Sequence, residues 1–482
     1  MQTARRVNLF LRRQVWPHTL AGGVPRAVVR SAENVMKTPR PPGPRSLIPG
    51  SALRAMQRQP IRFLTSLARD YGDVSHFSYG PQHLYFLNHP DLIRDVLVTK
   101  SGSFMKGRAL QRAKLLLGEG LLTSEGELHR RQRRLAQPAF HRDRIQQYAA
   151  VMIDRAAATS ASWTDGQSLD IHHEMMRLTL SIVARTLFGA DVEADAEEIG
   201  AALTEALEVF PLLISPFASI LQKLPLPRVK RLERALATLD RTIYRIIEER
   251  RVSSEDRGDL LSMFLLAQDE EGGGGMSDRQ LRDEVMTLFL AGHETTANAL
   301  AWTWCLLSMH PGVEREMHRE LDSVVEDRDP VPADYPGLPY TEMVIAESMR
   351  LFPPAWIIGR LAIEDVTIGD WTIPRGAIAI VSQAVMHRDG RFWPDPDRFD
   401  PLRFTAEAKA VRPRFAYFPF GAGPRVCIGE GFAWAEGVLV LATLARKWRV
   451  RVRGEVEPLP LITLRPRGGM PAIVTGRQNG TP

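Results

Sequence analysis

The spacing of apolar and polar positions divides the chain into a helical majority and a smaller part of short strands. Pro41-Pro42-Gly43-Pro44 is a stiff entry, because proline fixes φ and restricts the residue before it. The pattern over 60–71 predicts a helix. Val74–Tyr79 and Leu84–Asn88 read as strands joined by a turn at Gly80-Pro81. From about 127 to 350 the period is overwhelmingly helical, with stretches near 141–160, 167–188, 195–209, 228–251 and 258–268. Glu270–Gly275 reads as a flexible loop. Ser277-Asp278-Arg279-Gln280 then forms a capping box, and the helix it starts meets no proline before Pro311. Roughly thirty residues at about 1.5 Å each make about 45 Å, enough to cross a domain. Its apolar content suggests a membrane span, but Arg282, His293, Glu294 and Asn298 oppose that. After Pro353-Pro354 the texture changes. Residues 355–385 hold short strand-like runs, 386–420 have little period, and a last helix runs from near Gly429 to about Arg446. The expected class is mainly α with a smaller β part (α+β), one domain over 41–482 behind a basic extension at 1–40.

Composition adds exclusions. At 482 residues, 44% hydrophobic and 24% charged, the chain is neither collagen, a coiled-coil rod nor largely disordered. A net charge of +6 permits an acidic partner, a membrane surface or nucleic acid. No basic-and-aromatic run matches a nucleic-acid module, so no nucleic-acid partner is expected. Two cysteines exclude a disulfide scaffold and a four-cysteine metal site. The first 32 residues carry Arg5, Arg6, Arg12, Arg13, Arg26 and Arg30 and no acid. Their one apolar run, Val7–Leu11, is too short to anchor in a bilayer. Two readings stay open: a basic, surface-lying or transit-like extension, or a chain whose translation starts at Met36. A cytoplasmic, bacterial-type enzyme is the expectation, with organelle targeting through the basic segment as the alternative.

Several chemistries are absent. There is no GxxxxGK[ST] phosphate loop and no GxSxG elbow. His293-Glu294 starts an HExxH zinc pattern, but Ala297 stands where the second histidine belongs. No CxxCH is present for covalent haem attachment.

The informative segment is Phe420-Gly421-Ala422-Gly423-Pro424-Arg425-Val426-Cys427-Ile428-Gly429. A cysteine in a glycine-rich loop before a helix has loop N–H groups and a helix dipole to stabilise a thiolate. Gly421, Gly423 and Gly429 let a flat macrocycle approach the backbone, and Arg425 lies close enough to meet a carboxylate. Cys305, on an apolar helix face, reads as a small core residue.

This segment resembles, at every fixed position, the FxxGxRxCxG haem-binding signature of the cytochrome P-450 superfamily, the haem-thiolate monooxygenases. The resemblance implies that family's fold, with a long central helix across the haem. It implies haem b (iron protoporphyrin IX) as cofactor and Cys427 as the iron's ligand, with Phe420, Gly421 and Gly429 around it. Ala291-Gly292-His293-Glu294-Thr295-Thr296 is similar to the family's oxygen-binding stretch. Small Ala291 and Gly292 admit O₂ and substrate, the Thr295 hydroxyl can hydrogen-bond bound oxygen, and Glu294 can relay protons. A lone Thr-Thr in a helix is otherwise usually back-bonded. Glu347-Ser348-Met349-Arg350 matches ExxR. Phe399-Asp400-Pro401-Leu402-Arg403-Phe404 resembles FxPERF with Leu402 in place of the common Glu, so Arg403 is expected to join Glu347 and Arg350. Gly126–Arg134 resembles GxxWxxxR with His129 at the Trp position. This makes His129 and Arg133 expected partners of the haem propionates, joined by Arg425 of the cysteine segment and by Arg360, which stands five before Asp365 and matches a further propionate-pairing arginine of the family.

The activity implied is insertion of one oxygen atom from O₂ into a lipophilic substrate such as a fatty acid, terpenoid, steroid or polyketide. Leu116, Leu117, Phe289, Ala291, Ala355–Ile358 and Leu461–Ile462 are the expected lining, with Phe210–Leu221 and Leu224–Pro227 as an access lid. Too little chain follows Cys427 for a fused reductase. Arg130, Arg131, Arg134, Arg412 and Arg414 are expected to face an acidic ferredoxin or flavodoxin served by its reductase. The alternative is a haem-thiolate peroxygenase or isomerase needing no external electrons. Glu294 and Thr295 argue against it.

Overall fold

Capping and periodicity put most helices where the sequence places them. The computed structural model describes residues 39–44, 51–190, 196–214, 227–253, 257–266 and 276–477. Its longer helices are α1 (Pro60–Tyr71), α2 (Gly126–Ala136), α3 (Arg142–Ser162), α4 (Ile171–Phe188), α5 (Ala196–Ile214), α6 (Pro227–Ser253), α7 (Asp278–Met309), α8 (Pro311–Val324), α9 (Pro339–Leu351) and α10 (Glu430–Lys447). The Ser277 hydroxyl accepts the Gln280 N–H at 3.3 Å, as the capping box requires. No described helix is long and apolar enough to cross a membrane. The basic extension, the 270–275 loop and most of the expected lid lie outside the described residues.

The strands are β1 (Val74–Tyr79), β2 (Gln82–Leu87), β3 (Phe104–Lys106), β4 (Ser168–Asp170), β5 (Ile358–Ala362), β6 (Val366–Ile368), β7 (Trp371–Ile373), β8 (Ile378–Val381), β9 (Trp448–Val452), β10 (Pro458–Pro460), β11 (Leu464–Pro466) and β12 (Pro471–Gly476). The main sheet runs β1-β2-β8-β5-β3, with Lys106 in register with Arg360. A second sheet runs β4-β12-β9, and β6-β7 and β10-β11 are two-stranded ribbons.

One expected helix is corrected at its start. The stretch from 167 begins as β4, because Ser168, Leu169 and Asp170 pair with Ile473, Ala472 and Pro471. The helix starts only at Ile171, where the Asp170 carboxylate caps it by accepting the His173 N–H at 3.1 Å.

Helix α7 runs through the centre, with α4 packed along it. A Cβ on Gly292 would sit 3.0 Å from the Val183 side chain of α4, so the close helix crossing favours a small residue here. Behind the Cys427 loop lies a buried ion pair. Arg350 is fully buried and every N–H it carries is committed. It donates to both Glu347 oxygens at 2.6 and 2.8 Å, to His387 O and Pro396 O at 2.8 and 2.7 Å, and to Arg398 O at 3.0 Å. Arg403 Nε completes the expected triad 3.4 Å from Glu347. His387 Nε2 in turn accepts the Phe418 N–H at 3.0 Å, which ties this knot to the chain entering the cysteine loop. Leu402 is 58% exposed and takes no part in the triad.

Candidate functional site

The cysteine loop is wound tightly enough to aim one side chain. The Cys427 N–H donates to Phe420 O and the Val426 N–H to Gly423 O, both at 3.0 Å. Gly421 and Gly423 hold φ of 72° and 68°, the left-handed region that favours glycine. A Cβ on Gly423 would also collide with the Leu97 carbonyl, so the loop rests directly on the Asp95–Thr99 turn. Phe420 packs 5.7 Å from Trp434 of α10, and Gly429 precedes the first turn of that helix.

Cys427 is accessible, yet it lies in a recess deep enough that desolvation pushes its thiol up to about 11. The Gly429 N–H opposes this but loses. The expected thiolate is therefore not the resting state of the metal-free protein. A metal is needed to displace the proton, as coordination does for thiols. Cys305 is buried on α7 and inert, as expected.

Beside the recess, basic side chains outnumber acids. Arg425 pairs with Glu125 and donates to Ser124 O at 3.1 Å. Arg133 donates to Val426 O at 2.8 Å, directly onto the cysteine loop. Arg360 reaches only its neighbour's carbonyl, Gly359 O, at 3.2 Å, and burial followed by Arg425 lowers it to about 10. His129 is driven down to about 3 by burial and then by Lys106, Arg425 and Arg133, so it is neutral with one N–H to donate. Among the described residues the Arg425–Glu125 pair is the only ion pair these side chains make. Buried cations without acids are costly unless an anion arrives. The cluster therefore has the electrostatics of a site for carboxylates.

Helix α7 is open for one turn. Every residue of α7 from Asp283 to Leu307 is buried except Ala291, Gly292 and Thr295. The Thr295 hydroxyl donates to Ala291 O at 2.7 Å, so in this state it is back-bonded. Glu294 is buried and turned elsewhere, accepting from Thr463 at 2.6 Å and lying 3.2 Å from Arg465 Nε. Burial raises its affinity for a proton, and Arg465 and Thr463 oppose that.

The family described as Cytochrome P450 matches residues 39–471. The chain belongs to the cytochrome P450 family. It is 42% identical over 459 residues to a cyclooctatin synthase of Streptomyces melanosporofaciens, covering 94% of this chain and 93% of the relative. It is 40% identical over 412 residues to a cyclooctat-9-en-7-ol 5-monooxygenase of the same organism, covering 85% and 88%. The crystal structure of a cytochrome P450DA heme domain superposes with a TM-score of 0.82 at 25% identity, covering 92% of this chain and 98% of that one. This P450 is thus a monooxygenase, and the family implies haem. The residues fit that cofactor: an accessible cysteine, left-handed glycines in the loop that carries it, and a cluster at one side in which basic side chains outnumber acids.

Lys106 was missed in the sequence. It is 5% exposed and donates through Nζ to Leu121 O at 2.9 Å and Ser124 O at 2.7 Å, with no acid paired to it among the described residues. Burial, then Arg425, lowers it to about 7. Its third N–H is available to a carboxylate shared with Arg360 and Arg425. Replacing Lys106 by Met is expected to leave the cofactor-free protein about as stable, since removing a buried cation that makes no ion pair offsets the lost bonds to Leu121 O and Ser124 O. The same change should speed haem loss to apomyoglobin about tenfold, the value of one charge-assisted hydrogen bond. Unchanged haem loss would remove Lys106 from the cluster.

The other expected residues fall in several settings. Leu116, Leu117, Phe289 and Trp356 are buried in the apolar core, not open; Phe289 stacks on Phe188 at 5.6 Å. Ala355, Ile357, Ile358, Leu461 and Ile462 are partly open. Arg412 does not belong to a free basic face. It stacks 4.2 Å above Trp393 and 4.8 Å above Phe404 and donates to Arg403 O at 2.9 Å. Arg130, Arg134 and Arg414 are exposed, and Arg131 is half-buried. A separate half-open cleft of about 690 Å³ lies between α1, the Leu351-Phe352 end of α9 and Leu464, and shares no residue with the cysteine recess.

Proposed function

We propose that this P450 oxidises a terpenoid, using haem b held by Cys427 and electrons from an acidic ferredoxin or flavodoxin. The observation carrying this reading is the accessible Cys427 in a loop beside a basic cluster, in which Lys106 and Arg360 are buried and make no ion pair among the described residues. The related cyclooctat-9-en-7-ol 5-monooxygenase supports the substrate class, as do the partly open apolar residues. A haem bound here supplies reductive activation of O₂ and transfer of one oxygen atom. Arg133, Arg360, Arg425, His129 and Lys106 hold and orient its carboxylates. Ala291 leaves room beside the helix. Thr295 turns its hydroxyl from Ala291 O into the opening, and Glu294 holds the proton that the oxygen chemistry consumes. Arg130, Arg131, Arg134 and Arg414 steer the acidic electron donor.

Turnover with NADPH, ferredoxin and ferredoxin reductase against cyclooctat-9-en-7-ol and a panel of other terpenes, under ¹⁸O₂, tests the reading. Product carrying one labelled oxygen is expected, dependent on the ferredoxin. Equal product from hydrogen peroxide alone would favour the peroxygenase alternative. Thr295→Ala is expected to retain haem while product per NADPH falls about a hundredfold, the lower end of the range for loss of a positioned proton-transfer group. Undiminished coupling would contradict the role given to Thr295.

A further inference from the structure

Glu294 is the end of a chain of side chains drawn from three separate parts of the sequence. His172 at the start of α4 lies with Nε2 3.0 Å from Asn298 Oδ1. Asn298, fully buried on α7, donates from Nδ2 to the Thr463 hydroxyl at 3.3 Å. Thr463, beside β11, donates to Glu294 Oε1 at 2.6 Å. Of the four, only His172 is not buried. Each link as drawn donates toward the carboxylate, which suits an ionised Glu294.

Every member can also run the other way. A protonated Glu294 donates to Thr463, whose hydroxyl rotates to donate to Asn298 Oδ1. The amide then presents its N–H to a bare His172 Nε2, and the ring carries its proton on Nδ1. Amide orientation and imidazole tautomer are set by the network, so both polarities satisfy the same heavy-atom positions. An amide cannot pass a proton along without rearranging its own bonds, so the chain registers the proton on Glu294 and does not conduct it.

We propose that His172, Asn298 and Thr463 form a two-state relay that positions Glu294 and reverses its polarity each time Glu294 gains or gives up a proton. This rests on the reading of Glu294 as the proton-holding residue. The charges around the chain are few. Arg465 faces Glu294 from β11 and also reaches Thr204 of α5 at 3.4 Å. Asp170 and His173 lie near His172. Asp170 is committed to the N–H groups of His173 and Met470, each at 3.1 Å. His293 is held in place by an Nδ1 contact to Phe289 O at 2.9 Å. Burial and Arg465 keep His172 neutral down to about 4, so it has a single N–H to place on either nitrogen. His172 and Asn298 are therefore positioning residues, coupling the buried acid to a side chain that meets solvent.

The test is the tautomer of His172, read by ¹⁵N NMR of ring-labelled histidine in the haem-loaded ferrous carbon-monoxide form, with no substrate present. Loss of signals in His172→Gln assigns the ring. In the wild type the proton is expected on Nε2 at high pH and on Nδ1 after Glu294 protonates, at pH values above those at which His172 itself ionises. Glu294→Gln and Thr463→Val should each abolish that exchange, while Thr463→Ser should keep it. If Thr463→Val does not fold, Asn298→Leu breaks the chain at another link. A wild-type tautomer that never changes, or an exchange that survives Glu294→Gln or Thr463→Val, would overturn the relay. Because no turnover is read, that failure is distinct from failure of the monooxygenase reading, which the ¹⁸O₂ experiment addresses.

Discussion

Arg350→Met is expected to destabilise the protein by about 3–5 kcal/mol, the usual cost of removing one partner of a buried ion pair. The reason is the geometry. Glu347 loses a bidentate partner at 2.6 and 2.8 Å and keeps Arg403 only at 3.4 Å. Three carbonyls, of His387, Pro396 and Arg398, lose their donor in the same step. Set against a typical stability of about 5–15 kcal/mol, this is enough to deplete the folded enzyme. Arg350→Lys should rescue little, because an ammonium cannot reproduce the planar fork that serves five acceptors. Urea midpoints of the purified variants, with haem content as a second readout, measure the effect. A midpoint close to wild type for Arg350→Met would show that the knot behind the cysteine loop carries little stability. The loss of haem should accompany the loss of fold, because His387 ties the knot to Phe418 at the entrance of the loop.

Local signals made much of this legible in the sequence. Ser277 with Gln280, Glu347 with Arg350, and Phe420 through Gly429 each lie within a few residues, where spacing alone fixes which side chains can meet. What the sequence hid was long-range. Lys106 enters the basic cluster because β3 pairs with β5 and sets it opposite Arg360. Thr463 and Arg465 meet Glu294 across 169 and 171 positions, a contact made by the β10-β11 ribbon. The same blindness turned Ser168–Asp170 into a helix on paper, since its strand partners lie some three hundred residues downstream. Arg412 reads as a surface charge until Trp393, Phe404 and Tyr417 are folded beneath it. Gly292 reads as room for oxygen, whereas the crossing with Val183 already favours a small residue there.

The other large effect concerns one sulfur. Cys427 is accessible and carried on left-handed glycines, and the nearby Arg360 and Lys106 make no ion pair among the described residues. A thiol that holds its proton to about 11 becomes a ligand when a metal takes the sulfur and the proton is released to solvent. Cys427→Ala removes the donor while leaving the basic cluster untouched, so the variant should still capture some haem but without thiolate ligation. Cys305→Ala, on the buried face of α7, should change nothing in that ligation. The most direct measurement is the carbon-monoxide difference spectrum of the dithionite-reduced protein. The wild type and Cys305→Ala are predicted to show the strongly red-shifted Soret band of thiolate-bound haem, and Cys427→Ala to lose it completely. An unchanged band in Cys427→Ala, or its absence from haem-loaded wild type, would contradict the account.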